Sequence, residues 1–167
     1  EEQGVPYSLF HGGFGMVAAG NIPKPTFWTF AFYKQLKNAG SECVFRDKTS
    51  VIVKTSKGYA GILWNIDADE YTREIELPMT GEYTLITKTV DEECCNPLKV
   101  WHDMGEPAHP TKSETDLIRS SAFPLIRSAV VKDTDGKAEI SVPVKKNGVV
   151  YFELSEIFLS WVGSTIH

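Results

Sequence analysis

The chain has 167 residues, the length of one ordinary domain or of one domain that carries part of another. Its 42% hydrophobic and 23% charged residues are typical of a globular protein with a core and exclude a disordered, collagen-like or coiled-coil chain. With 17 Lys and Arg against 22 Asp and Glu, the net charge of −5 argues against a basic surface for nucleic acid or membrane. No apolar run approaches the roughly 18 residues of a membrane span.

The first 40 residues contain a glycine-rich turn and one clear helix. A short apolar segment, Val5–Phe10, precedes the turn, and no initiator Met or signal-like segment stands before it, so we expect a piece of a longer protein. Pro25 and Gly40 suit the first turn and the end of a helix over Thr26–Asn38. The first half of this helix is apolar almost all round, which predicts a helix buried between two packed layers.

From Gly40 onward, short β-rich runs alternate with turn residues. The eight predicted strands are Cys43–Arg46, Ser50–Thr55, Tyr59–Ile66, Arg73–Leu77, Tyr83–Val90, Leu125–Lys132, Ala138–Val144 and Val149–Leu154. Leu98–His102 is a further candidate strand, and the capping-box spacing from Thr111 to Glu114 predicts a short helix that ends near Ser121. These strands favour a mainly β fold, an antiparallel β-sandwich, over a βαβ succession.

Two turn signals and one proline refine this prediction. Asp135-Gly136 and Asn147-Gly148 are typical of hairpins and predict that the strands on either side pair with each other. Polar and apolar residues alternate along Ala138–Val144, which predicts one buried and one wet face. Pro143 favours an edge position because proline cannot donate a hydrogen bond to a neighbouring strand.

The three cysteines, Cys43, Cys94 and Cys95, do not suggest a disulfide framework. Their number is odd, and a bridge within the adjacent pair would close a strained ring. A bridge from Cys43 to either of the others stays open for an oxidising compartment. We expect free thiols.

Neither a nucleotide loop nor a catalytic nucleophile can be recognised. The run from Gly13 to Ala18 matches the dinucleotide pattern G-x-G-x-x-A, but Asn21 and the two prolines after it break the helix that this pattern needs. No G-x-S-x-G occurs, and no cysteine has the signature of a histidine partner. We expect the glycines to allow a tight turn at a strand end, and we expect no cofactor.

Two polar segments are weak candidates for a metal site. Residues 102–109 contain four potential ligands, but their spacing matches no familiar zinc arrangement. Residues 65–70 are acidic but lack the glycine and the terminal glutamate of an EF-hand loop. We expect solvated loops without a metal. Glu74 and Glu76 share one face of a predicted strand, which is typical of a solvated face rather than a catalytic pair.

Four aromatic residues, Tyr59, Trp64, Tyr83 and Trp101, are candidates for a sugar-stacking platform, since apolar ring faces suit the C–H surfaces of a pyranose. Core packing is the interpretation that we favour.

The glycine-rich stretch and the helix after it resemble glycoside hydrolase family 39, which contains β-xylosidases and α-L-iduronidases. Phe10–Gly15 reads F-H-G-G-F-G, and Lys24-Pro25 leads into the aromatic helix, as in the xylosidase members of the family. The pattern W-x-x-M-G-x-P-x-x-P from Trp101 to Pro110 is similar to a segment of the family's accessory sandwich.

The resemblance implies a division of the chain into residues 1–40, the final strand-loop-helix part of a (β/α)8 barrel, residues 41–155, an accessory β-sandwich of Ig-like type, and a tail, 156–167. A whole barrel needs about 250 residues, so most of it would be missing. The family uses one glutamate as acid/base and another as nucleophile. The Asn-Glu pair that marks the acid/base does not occur here, so no catalytic residue is assigned.

The resemblance also implies substrate-binding residues near the start of the chain. Glu1 or Glu2 would match the family's F-E-E region and accept hydrogen bonds from sugar hydroxyls. His11 and Phe14 would lie near the barrel face where active-site loops gather.

The main hypothesis is therefore a C-terminal accessory fragment of a retaining, β-xylosidase-like glycoside hydrolase acting on xylan or xylo-oligosaccharides. We expect the fragment to be inactive by itself. Its partners would be the N-terminal barrel of the same protein and a xylosidic or related saccharide, with neither nucleic acid nor membrane. The alternative is an autonomous carbohydrate-binding module. An adhesion-type sandwich would explain the strands but not the glycine-rich stretch.

Overall fold

The computed structural model describes residues 9–10 and 15–157. In chain order the elements are β1 (Val17–Ala18), β2 (Ile22–Pro23), α1 (Pro25–Ala39), β3 (Glu42–Arg46), β4 (Ser50–Thr55), β5 (Gly58–Trp64), β6 (Tyr71–Pro78), β7 (Glu82–Val90), α2 (Pro97–Asp103), α3 (Lys112–Ser120), β8 (Leu125–Lys132), β9 (Lys137–Val144) and β10 (Val149–Glu156). None of these helices combines the length and the apolar character needed to cross a membrane.

Two antiparallel sheets build most of the described chain. The larger has six strands in the order β3-β4-β5-β10-β7-β8, and β6 and β9 form a separate pair. β10 lies in the middle of the larger sheet, where Tyr151 is opposite Ile62 on one side and Lys88 on the other. The prediction of a mainly β, antiparallel fold with few helices is confirmed, and each of the eight predicted strands is present.

The two sheets share one hydrophobic core. Alternate residues of β9, Ala138, Ile140, Val142 and Val144, are buried, and the residues between them are exposed. They belong to the same cluster as Phe152 of the central strand β10. The predicted wet face of β9 is thus confirmed, and so is the edge position, because β9 pairs with β6 alone.

Helix α1 covers part of the opposite face of the six-stranded sheet. Phe32 and Leu36 are buried there, and the Phe32 ring stacks on Tyr151 with 5.7 Å between ring centroids. The outward side of the helix is open, with Phe30 62% and Tyr33 47% exposed. Among the described residues no second layer covers this outward side, whereas the six-stranded sheet covers the inner side of the helix.

A separate hydrophobic cluster joins residues before α1 to the short helices α2 and α3. Ile22, Trp101, Ile118 and Ala122 are buried together, and Phe10 packs against this group. The predicted capping box at the start of α3 is present: the Thr111 hydroxyl accepts from the backbone N–H of Glu114, and the Glu114 carboxylate accepts from the N–H of Thr111.

The candidate strand at Leu98–His102 is wrong, since these residues lie within helix α2. Asn96 caps the helix by accepting from the Lys99 N–H, and Pro97 occupies the first turn. The Trp101 side chain is buried and donates its indole N–H to the Pro107 carbonyl. The Asn-Pro start signal outweighs the β propensity of Val100 and Trp101.

Both hairpin predictions are also wrong. The turns form as expected, with Asp135 at φ 53° and Asn147 at φ 54°. However, β8 pairs with β7, β9 pairs with β6, and β10 pairs with β5 and β7. Each turn therefore carries the chain from one sheet to the other, because the apolar face of β9 is buried against the larger sheet.

Candidate functional site

The four residues predicted to bind substrate, Glu1, Glu2, His11 and Phe14, lie outside the described residues. Between Glu2 and His11, the structure describes Leu9 and Phe10. Phe10 contacts Trp101 edge to face, with ring centroids 5.8 Å apart.

The segment after the glycine-rich stretch is held by two sets of hydrogen bonds. The Lys24 N–H donates to the Met16 carbonyl, which closes the small β1–β2 pair. The Gly20 carbonyl accepts from both Nε and Nη2 of Arg119, at 3.1 and 2.9 Å. Residues 15–24 thus form turns and short strands, and no helix opens on Gly15 as a dinucleotide loop would require.

The carbonyl of Ala122 joins three parts of the chain. It accepts from the Trp28 indole N–H at 2.7 Å and from the Cys95 thiol at 3.2 Å. Phe123 adds a ring contact to Trp28, with centroids 5.7 Å apart. Helix α1 is therefore tied to the loop before α2 and to the segment between α3 and β8.

Three of the four residues of the proposed aromatic platform are buried. Tyr59, Tyr83 and Trp101 are 7–8% exposed, and each donates a hydrogen bond to a backbone carbonyl. Core packing is confirmed for these three. Trp64 is half-buried and lines a groove of about 460 Å³ together with Tyr33 on α1.

The other lining residues of this groove are small, polar or aliphatic. They are Pro25, Thr26, Thr29, Asn65, Ile66, Val90, Asn147, Gly148 and Val149. The threonine hydroxyls and the two aromatic rings make a mixed surface that suits an uncharged ligand with both hydroxyl groups and apolar faces.

The polar residues of the two candidate metal segments form hydrogen bonds and ion pairs with residues near them in the sequence. His102 Nδ1 is 2.6 Å from Glu106 Oε1, and Asp103 pairs with Lys99. The Asn65 amide donates to two carbonyls of its own turn, at residues 68 and 69. Within residues 9–10 and 15–157, no group of three or more His, Cys, Asp and Glu is placed to hold a metal.

The glutamates of β6 lie on the solvent face, as predicted. Glu76 pairs with Lys137 at 2.5 Å, and Glu74 accepts from the Ser141 hydroxyl, both across the β6–β9 pair. These contacts stabilise the register of the small sheet. Both glutamates also line a cavity of about 490 Å³ between this strand and Phe45.

The most organised polar cluster surrounds Asp47 and was not predicted from the sequence. This carboxylate accepts from the Thr49 N–H at 2.9 Å and the Ser50 hydroxyl at 2.8 Å, and it forms an ion pair with Arg73. Arg73 also lies over the Phe45 ring, 5.3 Å from its centroid. Asp followed two and three residues later by Thr and Ser is typical of an Asx turn, a signal that could have identified the turn but not its partner on β6.

The electrostatics of this cluster favour a charged carboxylate. Burial acts to raise the pKa of Asp47, but the hydrogen bonds from Thr49 and Ser50 and the Arg73 guanidinium outweigh it and lower the pKa to about 2. The cluster links the β3–β4 turn of the large sheet to the small sheet, so its role is structural.

The cysteines are all free, as expected, and they differ in environment. Cys43 is exposed, whereas Cys95 is buried. Burial, with Cys94 and Asp91 nearby, raises the pKa of the Cys95 thiol to about 12, and burial and Asp91 also raise the pKa of Cys94. Neither thiol of the adjacent pair is prepared for nucleophilic chemistry.

The described residues thus define a mainly antiparallel β protein with a helix that is apolar on two sides. The family model "Glycosyl hydrolases family 39" matches residues 1–139. The chain belongs to glycosyl hydrolase family 39.

Two relatives agree with this membership, and two solved structures share the fold. The chain is 33% identical to a beta-xylosidase of Geobacillus stearothermophilus, and the match covers 94% of this chain and 32% of the relative. It is 28% identical to a beta-xylosidase of Caldicellulosiruptor saccharolyticus, and that match covers 99% of this chain and 34% of the relative. The fold is similar to a GH39 enzyme from Xanthomonas axonopodis pv. citri, with a TM-score of 0.75 and 23% identity over 91% of this chain and 34% of that one. It is also similar to a monomeric beta-xylosidase from Caulobacter crescentus CB15, with a TM-score of 0.75 and 19% identity over 92% and 35%. The chain spans about a third of the length of these relatives.

Proposed function

We propose that this chain is the C-terminal part of a β-xylosidase-like glycoside hydrolase, in which residues 41–155 form an accessory β-sandwich and residues 1–40 form the last strand-loop-helix part of a (β/α)8 barrel. The observation that carries the proposal is the open side of α1, where Phe30 and Tyr33 are 62% and 47% exposed. Met16, which lies before the helix and lines the same cavity as Phe30, is 42% exposed. A surface helix needs one apolar stripe. A helix with apolar residues on opposite sides needs two packed layers, and the rest of the barrel would be the second.

The chain by itself would be inactive in this proposal. Retaining glycosidases need two carboxyl groups about 5–5.5 Å apart on either side of the scissile bond. Glu74 and Glu76, which share a strand face and line one cavity of about 490 Å³, already bond to Ser141 and Lys137 on β9. The catalytic pair would come from the barrel that precedes residue 1.

An assay on an aryl β-xyloside tests this. We expect no release of the aryl alcohol above a protein-free blank from the 167-residue chain, and hydrolysis by a longer protein that includes the barrel. Turnover by the short chain, purified away from host glycosidases, would contradict the accessory role.

In the longer protein, Glu1 or Glu2 would contact the sugar, and His11 and Phe14 would line the same end of the barrel. Loss of a hydrogen bond to a charged group costs about 1.5–3 kcal/mol. We therefore expect Glu1→Gln or Glu2→Gln in the longer protein to lower kcat/KM about 10-fold or more. If neither substitution changes kcat/KM, the glutamates have no role in substrate binding.

The groove beside Trp64 favours a second candidate function, an autonomous carbohydrate-binding module. In that case the 167-residue chain would bind xylan or xylo-oligosaccharides in calorimetry. Trp64→Ala would abolish the binding heat, whereas Phe123→Ala, at an exposed ring outside the groove, would not. Absence of heat with several xylans would exclude this function.

A further inference from the structure

Helices α2 and α3 lie in a connection that is longer than the sheet requires. Strands β7 and β8 are antiparallel neighbours in the six-stranded sheet, and residues 91–124 link them. A hairpin loop of about two to five residues is enough to join two such strands. Connections on a rigid scaffold often carry a function of their own. The contacts of α2 and α3 indicate what this connection does.

Both helices pack against residues that precede α1 in the chain. Ile22 is buried in one hydrophobic cluster with Trp101 of α2 and Ile118 of α3. Phe10 meets the Trp101 ring edge to face, with 5.8 Å between ring centroids. The connection between β7 and β8 therefore contacts residues on both sides of the glycine-rich stretch.

Arg119 of α3 adds hydrogen bonds to this packing. Its guanidinium donates from Nε and Nη2 to the Gly20 carbonyl, at 3.1 and 2.9 Å. Its Nη1 pairs with Asp116 at 2.9 Å, so a carboxylate of the same helix orients the rigid guanidinium. Gly20 has a φ of 73°, a left-handed conformation that favours glycine. The two hydrogen bonds therefore fix the turn between β1 and β2 in place and direction.

We propose that Arg119 is a positioning residue for substrate binding, which acts from the accessory β-sandwich on the segment between the last strand and the last helix of the barrel. The inference rests on the proposed function, in which His11 and Phe14 lie near the substrate. In the sequence, these two residues stand between the stretches that α2 and α3 contact. Arg119 touches no substrate and acts by restricting the segment that follows the binding groups.

The place of the catalytic pair determines which kinetic constant changes. In the proposed function both catalytic glutamates precede residue 1, so the segment that Arg119 holds contributes to binding rather than to bond cleavage. Loss of binding that is equal in the ground state and the transition state raises KM and leaves kcat unchanged. We therefore expect Arg119→Ala in the longer protein to raise KM for an aryl β-xyloside about 5-fold or more, with kcat within about 2-fold.

Amide hydrogen exchange of the 167-residue chain tests whether Arg119 holds the segment. In Arg119→Ala, we expect the amides of residues 15–24, including the Lys24 N–H that donates to Met16, to exchange about 10-fold faster or more. Arg46→Ala, at an exposed arginine on β3, is the matched control and should leave these rates unchanged. Arg119→Lys keeps one charged donor and should give intermediate rates. It replaces the alanine variant in both experiments if that variant does not fold.

Steady-state kinetics of the longer protein tests the positioning role. Gly20→Ala keeps Arg119 but strains the turn, because alanine is disfavoured at a φ of 73°. It should also raise KM. If both substitutions act through one contact, the double variant should raise KM no further than the stronger single variant does.

The outcomes separate this inference from the proposed function. A longer protein that does not hydrolyse the xyloside would overturn the proposed function, and the inference with it. An active protein in which Arg119→Ala leaves KM unchanged, or lowers kcat instead, would overturn the inference alone. The same holds if Arg119→Ala and Gly20→Ala act independently on KM, or if exchange of residues 15–24 is unchanged in the 167-residue chain.

Discussion

At the scale of single residues, the clearest structural device is the Asp47 cluster, which joins the two sheets through one carboxylate. Its partners come from the adjacent turn, Thr49 and Ser50, and from Arg73 on β6. The turn partners follow from the local sequence. The arginine does not, since 26 residues separate it from Asp47 and only the packing of the small sheet brings it near.

The lowered pKa of Asp47 predicts a pH dependence of stability. Because the folded pKa is about 2 and the ordinary value is 3.8, the charged form stabilises the folded state. This contribution is complete above pH 5 and is lost as the pH falls through 3.8 toward 2. We expect Asp47→Asn to lower the free energy of unfolding by about 1 kcal/mol at pH 7, since the ion pair is partly exposed.

Urea unfolding between pH 7 and pH 2.5 measures this effect. The difference between Asp47→Asn and the unmodified chain should shrink as the pH falls below 4. Asp135→Asn, at an exposed turn, is the control and should have little effect. A difference that is constant from pH 7 to pH 2.5 would contradict the assignment.

The cysteines give a second prediction at this scale. At pH 8, a thiol reagent such as DTNB should react rapidly with one thiol, Cys43, because it is exposed. Burial raises the pKa of Cys94 and Cys95 and slows their reaction. Cys43→Ser should remove the rapid phase, and denaturant should release the others. Two rapid thiols in the folded chain would contradict the structure.

At the scale of elements, the junction between α1 and β3 depends on close backbone packing. Gly40 follows the helix, and its N–H donates to the Leu36 carbonyl. A Cβ added at Gly40 would lie 1.9 Å from the carbonyl oxygen of Lys54 on β4. Since the backbone there is extended, at φ −167°, the requirement for glycine is steric.

Gly40→Ala should therefore destabilise the chain by about 1–3 kcal/mol, the range observed for overpacking. Chemical denaturation measures the change, with Ser41→Ala at the neighbouring exposed position as the control. A neutral effect of Gly40→Ala would show that β4 can move away from the helix end without cost.

At the scale of the whole molecule, the two sides of α1 differ in what covers them, and in the proposed function the outer side would face the rest of a longer protein. The inner side packs on the six-stranded sheet through Phe32 and Leu36, and Phe30 points away from it with 62% of its surface exposed. A substitution of Phe30 should therefore change stability by different amounts in the short chain and in a longer protein with the barrel.

We expect Phe30→Lys to be neutral within about 0.5 kcal/mol in the 167-residue chain, where the position is exposed. In the longer protein it should cost about 3 kcal/mol or more, because it would bury an unpaired charge. Thermal unfolding of both proteins measures the contrast, with Lys37→Glu as an exposed control on the same helix. Equal effects in the two proteins would mean that no layer covers this side of α1.

Local patterns in the sequence determined the elements of this protein. The strand runs, Pro25 and Gly40 around α1, and the capping box at Thr111 act through nearest neighbours, so each could be recognised without a structure. The family resemblance rested on local motifs in the same way, and the match over residues 1–139 supports it.

The tertiary structure alone decided which strands pair and which surfaces stay open. The turns at Asp135 and Asn147 reverse the chain, but the burial of one face of β9 sends the strands on either side into different sheets. In the part of the chain that the structure describes, the exposure of β8 and of the outer face of α1 likewise depends on which other elements cover them. A turn depends on a few backbone dihedral angles and is therefore local. Strand pairing and side-chain exposure depend on contacts between distant segments, and these contacts form only when the apolar surfaces of the whole chain pack together.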